Sequence, residues 1–191
     1  MSNCDKIILE WLTAEFELFC GIEENLYRPI YTQPFLSCKD LIEFANKILN
    51  RRKSRAGKGL EHHLAEIFTA SGVKFESQVV TELNKKPDFI FPDGDSYHQF
   101  SFPSDKLTML GAKTTCKDRW RQVLNEANRI ENKHLFTLQV GISSHQLEEM
   151  KSEKLTLVVP KSNISAFHPA YRDNIMCLAE FIEMIKERQH F

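Results

Sequence analysis

The chain has 191 residues, enough to bury a full core and of a size that usually forms one domain. Hydrophobic residues make up 42% and charged residues 27%, the balance of a soluble globular protein, and no apolar run approaches the roughly 20 residues of a membrane span. A net charge of −1 excludes a globally basic binder, and five cysteines without close spacing (Cys4, Cys20, Cys38, Cys116, Cys177) argue against both a disulfide framework and a zinc site.

The N-terminus lacks the basic and apolar regions of a signal peptide, so a cytoplasmic protein is expected. Ile7, Ile8, Trp11, Leu12, Phe16 and Phe19 recur at helical spacing, with Gly21 as a stop. After Pro29 and Pro34, Ser37 reads as the N-cap of a second helix carrying Leu41, Ile42, Ala45, Ile48 and Leu49. A third helix is expected from about Gly57 to Ala70, with Leu60, Leu64, Ile67 and Phe68 on one face and Gly72 ending it. Between Lys47 and Lys58 stand Lys47, Arg51, Arg52, Lys53, Arg55 and Lys58, with no acidic residue among them. Such a run neutralises phosphates or forms a solvated helix end, and the spacing alone does not choose between the two.

Val73–Val80, Pro87–Phe91 and Leu107–Thr114 are short, apolar or alternating, and bounded by turn residues, so they read as strands. Lys117–Ile130 is expected to be helical, with Trp120, Val123, Leu124, Ala127 and Ile130 facing inward. Then follow a strand at Leu135–Val140, a helix at Ser144–Lys151, a strand at Leu155–Val159 and a helix at Ile175–Ile185. This order suits an α/β fold, a mixed β-sheet flanked by helices on both faces. Residues 1–52 would form an N-terminal helical part and residues 53–191 the core of a single domain.

Two charges fall where the pattern expects burial. Asp88 opens the strand completed by Phe89, Ile90 and Phe91, and Lys113 lies on the strand Met109–Thr114. A charge there costs several kcal/mol unless it is paired or bound to a metal. A buried Asp–Lys ion pair explains these two residues alone. Glu126 follows 13 residues after Lys113, beside the apolar stripe of the next helix. Folding that helix back over the sheet would bring two carboxylates and an ammonium together, a set suited to metal-assisted phosphodiester hydrolysis. Adjacent His62 and His63 point about 100° apart on a helix and cannot chelate one ion, so they read as structural, while Trp11 and Trp120 read as core.

Pro87-Asp88, followed by a lysine on the next strand, resembles the PD-(D/E)XK nuclease superfamily, although Gly111 stands where the usual acidic residue precedes the lysine by two. The segment Gly111-Ala112-Lys113-Thr114-Thr115-Cys116-Lys117-Asp118-Arg119-Trp120-Arg121-Gln122 closely resembles the catalytic domain of the EcoRII-type restriction endonucleases. Arg51–Lys58 and His134–Gln139 share that similarity, which spans roughly residues 51–160. In this family the second carboxylate has moved to the following helix, where Glu126 stands.

The resemblance implies a restriction-endonuclease-like fold and Mg²⁺ held by Asp88 and Glu126, with Lys113 positioning water or phosphate. Glu61 would be an additional acidic residue of the site, and Tyr97 would contact phosphate. Lys117, Asp118 and Arg119 would read successive G·C pairs, since Lys and Arg donate to guanine and Asp accepts from cytosine. Arg51, Arg52, Lys53, Arg55 and Lys58 would hold the DNA backbone. The implied protein is a homodimer that cuts double-stranded DNA at a CC…GG site, CCWGG first and CCNGG second. It would leave 5′-phosphates, with the central bases flipped out, and a cognate DNA methyltransferase would be its functional partner. A chain of this length has no room for the separate regulatory domain of EcoRII itself, so dependence on an effector site is not expected. A mismatch or nicking repair nuclease of the same superfamily and an inactive DNA-binding protein are the alternatives.

Overall fold

A six-stranded sheet in the order β1-β2-β3-β4-β5-β6 forms the centre of the protein in a computed structural model that describes residues 3–117 and 119–189. Its strands are β1 (Glu76–Ser77), β2 (Phe89–Phe91), β3 (Thr108–Lys113), β4 (Lys133–Thr137), β5 (Leu155–Val159) and β6 (Ile175–Cys177). The pairs β1–β2 and β2–β3 are antiparallel, whereas β3 to β6 run parallel. The helices are α1 (Cys4–Tyr31), α2 (Cys38–Ala70), α3 (Gly94–His98), α4 (Trp120–Leu124), α5 (Ser144–Ser152) and α6 (Leu178–Gln189). The mixed sheet with helices on both faces agrees with the pattern of the sequence.

Side-chain alternation along β3 shows how the two cores divide. Met109 packs on one face with Trp120 and Val123 of α4, Leu147 and Met150 of α5, and Leu135, Leu157 and Val159 of the parallel strands. Leu110 and Ala112 face the other way, toward Leu60, Leu64 and Phe68 of α2, Ile8 of α1 and Phe181 of α6. A strand buried on both faces reads as continuous apolar sequence, and the parallel strands do.

Several boundaries differ from expectation. Gly21 does not end α1, which continues for 28 residues through Pro29. Ser37 does cap α2, accepting from the Asp40 amide, but the second and third expected helices are one helix of 33 residues. The division between residues 52 and 53 therefore falls inside α2. At Gly59 α1 packs close beside the helix, where a Cβ would lie 2.5 Å from the Glu15 carboxylate. Trp11 is 37% exposed rather than core, resting against His63 at 5.7 Å between ring centroids. Only Glu76 and Ser77 of the first expected strand pair, since Gln78 takes a left-handed φ of 57°. The strand expected from Leu135 starts at Lys133 and ends at Thr137. Ile175–Cys177 joins the sheet before α6 begins.

The helix expected over residues 117–130 shrinks to the five residues of α4. Trp120, Val123, Ala127 and Ile130 are nevertheless all buried together. After Asn125 the chain turns, with Ala127 at φ 50°, and the turns preserve the inward spacing without the helix. Among the described residues no helix is long and apolar enough to cross a membrane.

Candidate active site

The site lies where β3 meets the start of β2 in antiparallel register, Phe89 opposite Leu110. Asp88, 7% exposed, places Oδ2 2.7 Å from the Ala112 amide and 2.8 Å from Lys113 Nζ, both of which donate to it. Gln78 Nε2 donates to Oδ1 at 3.4 Å. The Asp–Lys ion pair is thus real, but it does not stand alone. Glu61 on α2 and Glu126 beyond α4 both feel the charges of Asp88 and Lys113. Burial, and then the Asp88 charge, raise both carboxyls above the ordinary range, Glu126 to about 7, with Lys113 opposing. Glu61 and Glu126 thus each sense the Asp88–Lys113 pair, which is the one direct contact among the four.

Glu126 is seated by its neighbours rather than by a helix, since it stands two residues past the end of α4. Lys133, a buried lysine at the start of β4, donates to the carbonyls of Glu126 and Ala127, the latter at 3.1 Å. Lys85 Nζ donates to the Asn125 carbonyl at 3.0 Å. Three successive carbonyls of the turn after α4 thus accept from two ammonium groups, which fix the turn. Desolvation lowers the Lys133 pKa while Glu126 and Glu82 oppose that shift. The sequence reading missed Lys133; its signal was a lysine directly preceding the apolar run His134–Thr137.

Gly111, where the superfamily's usual acid would stand, has little room for a side chain. A Cβ there would lie 2.9 Å from Val123 Cγ2 and 3.5 Å from Leu135 Cδ1. An acidic side chain two before Lys113 would push α4 off the sheet. With glycine, α4 packs against the strand and Glu126 approaches from its far end.

The chemistry of the donor set fits a divalent cation in part. Glu126 Oε2 is buried and has no hydrogen-bond partner, an orphaned acceptor that would otherwise cost stability. Asp88 is a hard oxygen donor whose charge Glu126 feels, as Glu61 does, and Mg²⁺ commonly takes one or two carboxylates with waters and phosphate oxygens completing its shell. Among the described residues no group of three or more His, Cys, Asp or Glu side chains is arranged to hold a metal by itself.

Other expected site residues lie elsewhere. Tyr97 is 1% exposed, and its hydroxyl donates to both oxygens of Glu82 at 2.7 and 2.8 Å. Burial and the Glu82 bond push its pKa upward. The enclosed hydroxyl is held by Glu82, so contact with a phosphate would require that bond to give way. Three residues of the basic run face α1: Arg51 donates to the Tyr27 hydroxyl at 2.9 Å, and Arg52 binds buried Glu23 through two nitrogens. Arg55 pairs with Glu15 at 2.8 Å and lies 4.5 Å over the Phe19 ring. These arginines clamp α1 to α2, because a helix points successive residues around its axis and part of the run must face the neighbour. Lys53 and Lys58 are exposed. His63 also binds Glu15, at 3.0 Å.

Lys117 and Arg119 are exposed in the connection between β3 and α4, and Lys117 adopts φ 40°. Asp118 lies outside the described residues.

Residues 19–182 match the family described as EcoRII C terminal. The type II restriction enzyme EcoRII of Escherichia coli is 46% identical over 179 residues, which cover 93% of this chain and 44% of that enzyme. The type II restriction enzyme SsoII of Shigella sonnei is 25% identical over 122 residues, 59% of this chain and 39% of that enzyme. The chain thus spans less than half the length of either relative. Metal-depleted Ecl18kI in complex with uncleaved, modified DNA superposes with a TM-score of 0.82 at 20% identity, covering 98% of this chain and 70% of Ecl18kI. PspGI in complex with substrate DNA gives 0.77 at 17% identity, covering 97% and 80%. Both show the restriction-endonuclease fold.

Proposed function

Because the chain belongs to the EcoRII C-terminal family, we propose that it is a type II restriction endonuclease that hydrolyses phosphodiester bonds in double-stranded DNA with Mg²⁺, leaving 5′-phosphates. The observation that carries this reading is the convergence of Asp88, Lys113 and Glu126, with a buried oxygen of Glu126 lacking any partner. Asp88 and Glu126 would hold the ion, with Glu61, which feels the Asp88 charge, as an additional acidic residue. When bound, it stabilises charge on the scissile phosphate and acidifies the attacking water. Lys113, already fixed by Asp88, offers its ammonium to the negative charge that develops as the bond breaks. Lys133 and Lys85 keep Glu126 in place as the site fills.

Lys117, Asp118 and Arg119 read the G·C pairs of a CC…GG frame, CCWGG first and CCNGG second, with the central bases turned out of the stack. The donors and acceptor of this triplet, directly after the strand that carries Lys113, support that assignment. A homodimer covers both half-sites by repeating one surface, as a two-fold target favours. A cognate methyltransferase protects the host DNA, and the enzyme works in the cytoplasm. Digestion of an unmodified plasmid of known sequence in Mg²⁺ tests the whole reading. Discrete fragments ending at CCWGG or CCNGG, absent with Asp88→Ala, are expected. Cleavage confined to mismatched duplexes, or binding without any cleavage, would replace it.

A further inference from the structure

The segment after β3 proposed to read bases is tied down by Gln139, whose side chain hydrogen-bonds its backbone. Gln139 stands two residues past the end of β4, and the register that pairs Lys113 with Thr137 carries it alongside the connection that follows β3. Its side-chain oxygen accepts from two successive amides, Cys116 at 2.8 Å and Lys117 at 3.2 Å. The carboxamide is itself anchored. Its Nε2 donates to the Gly141 carbonyl at 3.3 Å, and the Gln139 amide donates to the hydroxyl of buried Thr137 at 3.2 Å.

The second of those two amides belongs to a residue in an unfavourable conformation. Lys117 adopts φ 40°, in the left-handed region that a side chain with a Cβ enters only when its surroundings hold it there. The segment belongs to neither β3 nor α4, and the bond from the Arg119 amide to the Cys116 carbonyl, 2.8 Å, closes a single turn. Successive amides pointing into one concavity also form a site that attracts anions such as phosphate. The neutral oxygen of Gln139 occupies it. With that acceptor gone, Lys117 could return to an ordinary φ and the side chains of residues 117 and 119 would change direction.

We propose that Gln139 is a specificity-determining positioning residue, which sets the direction of the base-reading side chains by fixing the backbone at Cys116 and Lys117. This rests on the assignment of residues 117–119 to base reading. The residue is partly exposed, so its substitution leaves both cores intact. Gln139→Met removes the acceptor at nearly constant length, and Gln139→Glu retains it.

The experiment measures competition binding in Ca²⁺, which supports binding without cleavage. It compares a short duplex bearing the mapped cleavage site, CCWGG as proposed, with duplexes carrying single G·C-to-A·T changes. Gln139→Met is expected to narrow the affinity ratio between these duplexes by about tenfold, the scale of losing two amide hydrogen bonds. Affinity for non-specific DNA and its salt slope should stay at wild-type values, which a general loss of structure would not allow. Gln139→Glu should keep the wild-type ratio. Arg119→Ala is measured in parallel. If Arg119→Ala loses discrimination while Gln139→Met ranks the duplexes like wild type, Gln139 does not position the segment. Equal losses in Gln139→Met and Gln139→Glu would also overturn the role of the acceptor. Unchanged discrimination in Arg119→Ala would instead remove the base-reading assignment itself.

Discussion

Replacing Glu126 by Gln isolates the electrostatic cost of the site. Burial, then the Asp88 charge, push the Glu126 carboxyl from 4.5 up to about 7, against the opposing charges of Lys113 and Lys133. A group that binds its proton more tightly when folded favours the fold fully below 4.5, and this contribution is lost as pH rises through about 7. That interval, at about 1.4 kcal/mol per pH unit, corresponds to about 3 kcal/mol, which solvent screening at a partly exposed carboxylate lowers to about 1–2 kcal/mol. Gln copies the shape of the protonated form without its charge. Glu126→Gln should therefore match the wild type at pH 4 and exceed it at pH 8 by about 1–2 kcal/mol, or about 2–8 °C in Tm for a chain of this size. Calorimetry in chelator-treated buffer reads the difference. Adding Mg²⁺ at pH 8 should close the gap by stabilising the wild type alone. A variant no more stable than wild type at pH 8 would refute the argument, because Glu126 would then carry no uncompensated charge for a cation to relieve.

Gly111→Ala should cost about 1–3 kcal/mol in urea unfolding, because the new Cβ meets Val123 at 2.9 Å, and Gly111→Glu should not restore cleavage to Glu126→Ala. Recovery of activity in that double variant would show that position 111 has room for the usual acid. Arg52→Ala should lower stability by about 1–3 kcal/mol through the stranded, buried Glu23. Lys53→Ala with Lys58→Ala should instead flatten the salt dependence of DNA affinity with stability unchanged, and equal salt slopes would leave these lysines as solvated surface. Tyr97→Phe should cost about 1–2 kcal/mol by releasing Glu82, with kcat at the wild-type value. A tenfold fall in kcat would return Tyr97 to the site.

Much of the core was legible because burial leaves a periodic trace. Leu155–Val159 is a strand at the expected bounds, and Ser144–Lys151 differs from its helix by one residue. Asp88 and Lys113 stood out for a similar reason, as charges inside apolar runs. Less of the surroundings showed. Trp120, Val123, Ala127 and Ile130 are all buried, yet the period that marks them does not distinguish a helix from a short helix followed by turns. The sequence could not show that the arginines of the basic run also pair with α1, because Tyr27, Glu23 and Glu15 lie 24 to 40 residues away from them. Gln139 and Val123 contribute through contacts 12 to 23 residues away, and Lys133 through a turn six and seven residues before it that its spacing does not mark.

The brevity of α4 has a consequence for fidelity. Arg119 stands at its start and Glu126 two residues past its end, so on the proposed assignment base reading and the chemical site are joined by five helical residues and a short turn. If a wrong pair shifted Arg119 and α4 carried that shift through the turn, Glu126 would move relative to Asp88. Displacements of about 1 Å at reacting groups can cost about a hundredfold in rate. An incorrect site would then be penalised twice, once in residence time and again in the cutting step, so errors in cleavage would be rarer than errors in binding.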